Sequence, residues 1–225
     1  MSNISVLEDK ATGQAFISID DTGEISIIVI PGANGALSRK MMEKERENLR
    51  ETVKNSAILV MQLEIPFETV MYLKELAVSF HKLVIVDPAP AAASLPDSFW
   101  NGIDYLKPNE TALSILTGRQ MNTREEIARG AVILLEKGVR NVIVTMGSKG
   151  YLFDTERFFQ APHVKAVDTT AAGDCFTAAF ALALAEGKTC PEAIAFGQAA
   201  CAIAVTRKGA QPSIPSREEV PSPSM

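Results

Sequence analysis

Asp168 and Asp174 bracket the run Thr169-Thr170-Ala171-Ala172-Gly173, which leads into Cys175-Phe176-Thr177 and an alanine-rich apolar segment. Small residues that open a helix make an anion site. The first-turn N–H groups lack intrahelical acceptors, and the helix dipole places partial positive charge there. Ala171, Ala172 and Gly173 present almost no side chain, so a phosphate can approach the backbone closely. Asp174 would repel that phosphate unless a group lay between them. A hydroxyl about to be phosphorylated is such a group, because the carboxylate can accept its proton. The run therefore reads as an anion hole with its own general base. Taken as an isolated pattern, a glycine-containing turn with Asp174 as an ordinary capping residue is the plainer reading.

Such a turn needs a scaffold, and the chain predicts one. Residues 14–31 hold two β-rich runs around Asp20-Asp21-Thr22-Gly23 and read as a hairpin. Residues 38–55 suggest one surface helix capped by Ser38. The apolar run 57–61 is the mark of a strand buried on both faces, and it ends in Gln62-Leu63-Glu64. A carboxylate at the carboxyl end of a parallel strand lies where α/β folds put their ligands, although Glu64 could equally be a solvated strand end. Pro66 opens a helix over 67–80, and 83–87 repeats the buried-strand pattern before Pro88-Ala89-Pro90.

A short strand over 103–108 stops at Asn109, which can cap a helix over 110–117 with Gly118 as its stop. Thr123-Arg124-Glu125-Glu126 is a capping box for a helix ending at Lys137-Gly138. One more buried strand over 141–146 precedes the turn Gly147-Ser148-Lys149-Gly150. Short β-runs over 151–154 and 157–160 follow, then apolar helices over 174–185 and 191–205. Strands alternating with helices predict a mostly parallel α/β sheet with right-handed crossovers. Neither G-x-G-x-x-G opening a βα unit nor G-x-x-x-x-G-K-[ST] occurs, which argues against a dinucleotide fold and a P-loop.

Bulk composition narrows the class. A chain of 225 residues with 47% hydrophobic and 22% charged residues suits a single sizeable α/β domain over 1–225. A net charge of −5 gives no basic footprint for nucleic acid or for an anionic membrane. Cys175, Cys190 and Cys201 form no CxxC pair and suggest a reducing, cytoplasmic setting. Cys175, at a helix start, reads as a small half-buried thiol; His81 reads as a helix-end contact, and His163 has no visible partner.

In order and spacing, these turns resemble the ribokinase-like (PfkB-type) sugar kinases. Val167-Asp168-Thr169-Thr170-Ala171-Ala172-Gly173-Asp174 is similar to that family's second signature. Pro31-Gly32-Ala33-Asn34, Met61-Gln62-Leu63-Glu64, Asp87-Pro88-Ala89-Pro90, Lys107-Pro108-Asn109-Glu110 and the turn from Thr145 to Gly150 resemble its further motifs. The loop from Ala204 to Ser213 resembles the one that closes over adenine and a monovalent cation. The resemblance implies a ribokinase-like three-layer αβα fold with a mostly parallel central sheet and a remnant β lid hairpin.

It further implies an ATP-dependent carbohydrate kinase acting on the hydroxymethyl group of a pentose, D-ribose to ribose 5-phosphate. Asp174 would be the base, with the backbone of Ala171, Ala172 and Gly173 as the anion hole. Glu64 and Asp174 would contact the sugar. Asn109, Thr145, Met146, Gly147, Ser148, Lys149, Gly150, Gly173 and Gln198 would line the nucleotide. Magnesium would come with the phosphates, and Asp168, Thr170, Ala204, Arg207, Gly209 and Ser213 would ring a potassium ion, largely through backbone oxygens. The implied partners are a sugar and ATP, with a homodimer or pairing with a missing N-terminal segment as the protein partner.

Two departures from the family pattern stand out. The position three after Asn109 is Ala112 where the N-x-x-E motif has glutamate, and Glu110 would point about 200° away around the helix. The chain also begins where ribokinases are already about a quarter to a third of the way through, so most sugar contacts and most of the lid are expected to be missing. This predicts weak or no activity for the chain alone. A non-catalytic nucleotide-binding or assembly module derived from a sugar kinase is the alternative, as is a kinase for deoxyribose, another sugar or a nucleoside.

Overall fold

The computed structural model describes residues 4, 6–19, 25–44 and 46–221. The order of elements is β1 (Gln14–Ile19), β2 (Ile25–Ile30), α1 (Gly32–Gly35), α2 (Arg39–Lys44), α3 (Arg46–Asn55), β3 (Ile58–Met61), α4 (Phe67–Ser79), β4 (Leu83–Val86), α5 (Asp97–Trp100), β5 (Tyr105–Leu106), α6 (Glu110–Thr117), α7 (Arg124–Glu136), β6 (Ile143–Thr145), β7 (Tyr151–Phe153), β8 (Arg157–Phe159), α8 (Ala172–Ala185) and α9 (Cys190–Ala204).

Strands β3, β4 and β5 pair in parallel, with Met61 opposite Val86 and Val86 opposite Leu106. Parallel bridges from Leu106 to Val142 and from Asn109 to Thr145 carry the sheet on to β6. Antiparallel β7 and β8 then extend it. Alternation along the strands divides the interior into two cores, as a period of two requires. Val84 and Val86 of β4, Val144 of β6 and Leu152 of β7 share one core with Val70, Leu113, Ile127 and Leu134 of α4, α6 and α7. Ile85, Ile143, Tyr151 and Phe153 point the other way and pack with Phe176, Phe180 and Ile194 of α8 and α9. A sheet between two helical layers is the expected three-layer α/β arrangement.

Local signals landed where local chemistry decides. Asn109 caps α6, its Oδ1 accepting from Ala112 N–H at 2.7 Å, and Gly118 stops the helix in the left-handed region. The Thr123 and Glu126 capping box opens α7. The expected hairpin pairs β1 with β2, while its Asp20-Asp21-Thr22-Gly23 turn lies outside the described residues.

Several expectations change. The single helix over 38–55 is two helices, α2 and α3. α8 and α9 begin at Ala172 and Cys190, one or two residues before the positions expected. β3 is not buried on both faces: Val60 is 37% exposed, because β3 is the last strand of the sheet among the described residues and nothing described covers that position.

One buried charge ties the layer beneath β4 together. The Lys74 ammonium of α4 donates to the carbonyls of Ser98, Phe99 and Asn101 at 2.5–2.9 Å, although Lys74 is only 3% exposed. Burial lowers its pKa from the ordinary lysine value. Replacing it by methionine keeps the volume but leaves three carbonyls without their donor. Lys74→Met should therefore cost about 2–3 kcal/mol in denaturant unfolding, with Lys74→Arg milder only if the fork can reach the same carbonyls.

Candidate active site

The carboxyl ends of β3, β4 and β5 meet at one rim, the ligand side of an open parallel sheet. Glu64 follows β3, Asp87 follows β4 and Lys107 follows β5. The backbone fixes two of them: Asp87 N–H donates to Met61 carbonyl and Lys107 N–H to Val86 carbonyl, each at 2.9 Å. Facing them is the start of α8. Its N-cap is Ala171, in the left-handed region at φ 58°, and no side chain caps the helix. The first turn is therefore free of the side-chain acceptor that usually occupies it, as an anion hole requires. Gly173 and Asp174 are exposed, while Cys175, Phe176 and Thr177 behind them are buried. Thr177 hydroxyl donates to Gly173 carbonyl at 2.8 Å and fixes the turn.

Four charges gather here. Lys107 Nζ pairs with Asp87 Oδ2 at 2.7 Å. The Asp174 carboxyl is raised above the ordinary aspartate value by the protein packed behind it and by Asp87, with Lys107 pulling the other way. Glu64 stands open to solvent at the rim, yet desolvation on its inner side, then Asp174 and Asp87, raise its carboxyl too. The Asp174 charge thus bears on Glu64 across the rim. A raised carboxylate at a reachable helix start is a better base than an ordinary aspartate. The Cys175 thiol is more buried than expected, and burial pushes it up to about 11, so it carries no thiolate.

Beside the helix start lies a cavity of about 330 Å³. Of the residues expected around a nucleotide, Thr145, Gly147, Ser148, Gly173 and Gln198 line it, with Ala172. Gln198 is held there by donating to Gln160 carbonyl at 3.1 Å. Others serve differently. Met146 is buried in the core at 3% exposure, because the pleat turns it inward, so only its backbone belongs to the turn. Lys149 reaches away to Glu110 at 3.0 Å. Gly150, at φ 101°, shapes the turn: a β-carbon there would collide with Phe159 carbonyl. Asn109 is spent on capping α6.

The apolar wall of the cavity was not anticipated: Tyr151, His163, Phe176, Cys201 and Val205. Part of it was readable, since Gln198, Cys201, Ala202 and Val205 follow the i, i+3, i+4, i+7 spacing of one helix face.

On the far side of the turn, Asp168 binds two segments. Its Oδ1 accepts from Thr170 N–H and its Oδ2 from Gly209 N–H, both at 2.9 Å. The Thr170 hydroxyl, then the Gly209 and Thr170 N–H groups, hold its carboxyl down to about 2. Val167 N–H and Asp168 N–H both donate to Val205 carbonyl. Of the ring expected around potassium, Asp168, Thr170 and Gly209 are brought together directly. Ser213 is fully buried, Ala204 lies in the core, and the Arg207 side chain turns away to pair with Glu219 at 2.6 Å. Among the described residues, no cluster of three or more His, Cys, Asp or Glu side chains is arranged to hold a metal. No helix there is long and apolar enough to cross a membrane.

An open parallel sheet whose strand ends face an uncapped helix start and an exposed carboxylate suits an α/β phosphotransferase. The pfkB family carbohydrate kinase model matches residues 1–217, and the chain belongs to that family. By class it is an ATP-dependent sugar kinase. A ribokinase of Haemophilus influenzae is 38% identical over 221 residues, spanning 97% of this chain and 71% of the relative. A crystal structure of ribokinase from Thermotoga maritima superposes with a TM-score of 0.79 at 44% identity, covering 93% of this chain and 68% of that one. The structure of Arabidopsis thaliana ribokinase complexed with ribose and ATP gives a TM-score of 0.80 at 36% identity, over 94% of this chain and 68% of that one.

The left-handed Ala171 offers a test of the turn itself. An alanine at φ 58° bears a steric cost that glycine avoids, partly offset by glycine's greater freedom when unfolded. Ala171→Gly should stabilise the chain by up to about 1 kcal/mol in chemical unfolding. A loss of stability would show that the turn is not held in this conformation.

Proposed function

We propose that the chain transfers the γ-phosphoryl group of ATP to the hydroxymethyl group of a pentose, D-ribose giving ribose 5-phosphate. The observation that carries this reading is the uncapped start of α8, with Asp174 exposed on one side and the cavity on the other. ATP would occupy the cavity with its adenine against the apolar wall and its phosphates at Ala171, Ala172 and Gly173. The sugar would sit between Glu64 and Asp174. Its hydroxyl oxygen bonds to the γ-phosphorus as the bond to the β–γ bridging oxygen breaks and ADP leaves. The hydroxyl proton passes to Asp174. Because the transition state is loose, the proton moves late, and most of the acceleration comes from alignment and charge stabilisation.

The cation sites are graded by fit. Asp168 spends both oxygens on N–H donors, which draws the 204–213 loop against the helix start and suits a ring of backbone oxygens around potassium. There Asp168, Thr170, Ala204, Arg207, Gly209 and Ser213 would hold the ion, and it would add positive charge behind the anion hole. Arg207, with its guanidinium engaged by Glu219, has only its backbone to offer. Magnesium would be held chiefly by phosphates and water, as usual for this hard ion. The carboxylate of N-x-x-E does not fit here: Ala112 is buried, and Glu110 is occupied by Lys149.

Openness argues for slow turnover by this chain, since Asp174 and Glu64 both stand in solvent and little excludes water from the transfer. The test is ADP formation by the purified chain with ribose, deoxyribose, other pentoses and a nucleoside. The expected result is slow, ribose-dependent turnover; ATP binding in calorimetry without turnover on any sugar would instead favour a nucleotide-binding module.

Asp174→Asn should remove nearly all turnover. It should also leave the fold as stable or more so at neutral pH. The folded carboxyl is raised above its unfolded value, so its contribution to stability is fully present below the unfolded value and is lost as pH rises through the folded one. The same shift places the acid limb of the pH–rate profile above the ordinary aspartate range, because the base works only when ionised.

A further inference from the structure

A buried ammonium lies beside this site, and the transfer described above assigns it nothing. Lys107 is 4% exposed and Asp87 is 8% exposed. Their ion pair sits directly under the anion hole: a β-carbon on Gly173 would stand 3.6 Å from Lys107 Nζ. Thr177, whose hydroxyl fixes the Gly173 carbonyl, comes within 3.5 Å of the same Asp87 oxygen that holds Lys107. Both backbones are pinned to neighbouring strands, so neither charge can drift. A buried ion pair is a poor source of stability, since apolar residues of similar volume usually do as well or better. Its placement against the reacting end of α8 suggests another use.

We propose that Lys107, held by Asp87, is a positioning residue that keeps Asp174 ionised and unpaired for the sugar hydroxyl. The proposal rests on the phosphoryl-transfer reading of this site. Without Lys107, three carboxylates from three strand and helix ends would face one another with no cation among them. Without Asp87, the ammonium would be free to turn to Asp174 and cover the proton acceptor. Lys107 thus supplies positive charge close enough to favour the carboxylate, while Asp87, whose own charge works the other way, tethers the ammonium so that it does not bond to Asp174.

The groups facing Asp174 are Glu64 after β3, Asp87 after β4, Lys107 after β5 and the neighbouring Cys175 of α8, with Cys201 of α9 behind. Burial raises both thiols, so neither adds a negative charge beside Asp174.

The test reads Asp174 directly, without turnover. The chain is labelled with carbon-13 at aspartate carboxyls, the Asp174 resonance is assigned by its loss in Asp174→Asn, and its titration midpoint is followed. Lys107→Met should move that midpoint up by roughly one pH unit, and Asp87→Asn should move it down. Lys107→Arg, which keeps the charge, and the double variant Lys107→Met with Asp87→Asn, which removes both charges, should each stay near the parent. Circular dichroism identifies folded variants. Should Lys107→Met not fold, the downward shift in Asp87→Asn and the unmoved double variant carry the test.

Where pentose turnover is measurable, the acid limb of kcat should follow the same midpoints, and Asp87→Asn should lower kcat more than it raises KM. Unchanged Asp174 midpoints in the folded single variants, or shifts in the same direction, would overturn the proposal and leave the pair a structural one. Absence of turnover in the parent would count against the phosphoryl-transfer reading, while the titration would still decide the role of Lys107.

Discussion

In a parallel sheet every strand ends on the same side, so the residues that follow β3, β4 and β5 must meet at one rim. The backbone makes this exact in register: Asp87 and Lys107 are each bonded through N–H to the last residue of the neighbouring strand. A shift of one residue would flip these side chains away from the rim, since strand side chains alternate. The same register sends Val84 and Val86 into one core and Ile85 into the other. Burial of the apolar residues therefore fixes where the charges stand, and the site inherits its geometry from the packing of the sheet. Helix α8 closes it because Phe176, stacked on Tyr151, and Phe180, stacked on Phe176, anchor that helix on the opposite face.

Much of this was legible, for reasons that differ by element. Caps and stops at Asn109, Gly118 and Thr123 depend on bonds within four residues, so the sequence carries them directly. The turn at Asp174 was legible because small residues before an apolar helix leave its start without a side-chain cap, although Ala172 N–H turns back to the Thr169 carbonyl at 3.2 Å. What could not be read depends on distant neighbours. The exposure of Val60 is decided by what lies beside β3, not by β3 itself. Met146 looked like part of a nucleotide turn, and only the pleat of β6 tells that its side chain faces the core. The Asp87 and Lys107 pair joins two different strand ends, and charged residues in such places ordinarily read as solvated. The apolar wall of the cavity was half-visible as a stripe on α9, but small residues on a buried helix face read equally as packing.

The departure at Ala112 has a physical consequence that the structure makes definite. Glu110 begins α6, where its charge favours the helix dipole, and it is drawn to Lys149 of the nucleotide turn. It does not stand in for the carboxylate that the N-x-x-E pattern would place two residues further on, about 200° around the helix. That position is a buried methyl group against the core. Glu110 and Lys149 instead close a partly exposed contact between the start of α6 and the turn after β6. At such exposure the ion pair contributes little stability.

Asp168 and Asp174 share one turn and are driven in opposite directions. Asp168 accepts from Thr170 and Gly209, donors that stabilise its charge, so its carboxyl is held down to about 2. Asp174 has protein mass behind it and Asp87 before it, so its carboxyl is raised and its affinity for a proton grows. Divergent environments for paired carboxylates are how one site separates an anchor from a base. Hydrogen bonds that make Asp168 a poor base also draw the 204–213 loop against the start of α8. The scarcity of donors around Asp174 leaves its oxygens open, as the proposed base would need. On the proposed reading the two aspartates divide the work of the turn: the one that is fully bonded positions the helix, and the one that is not is left to react.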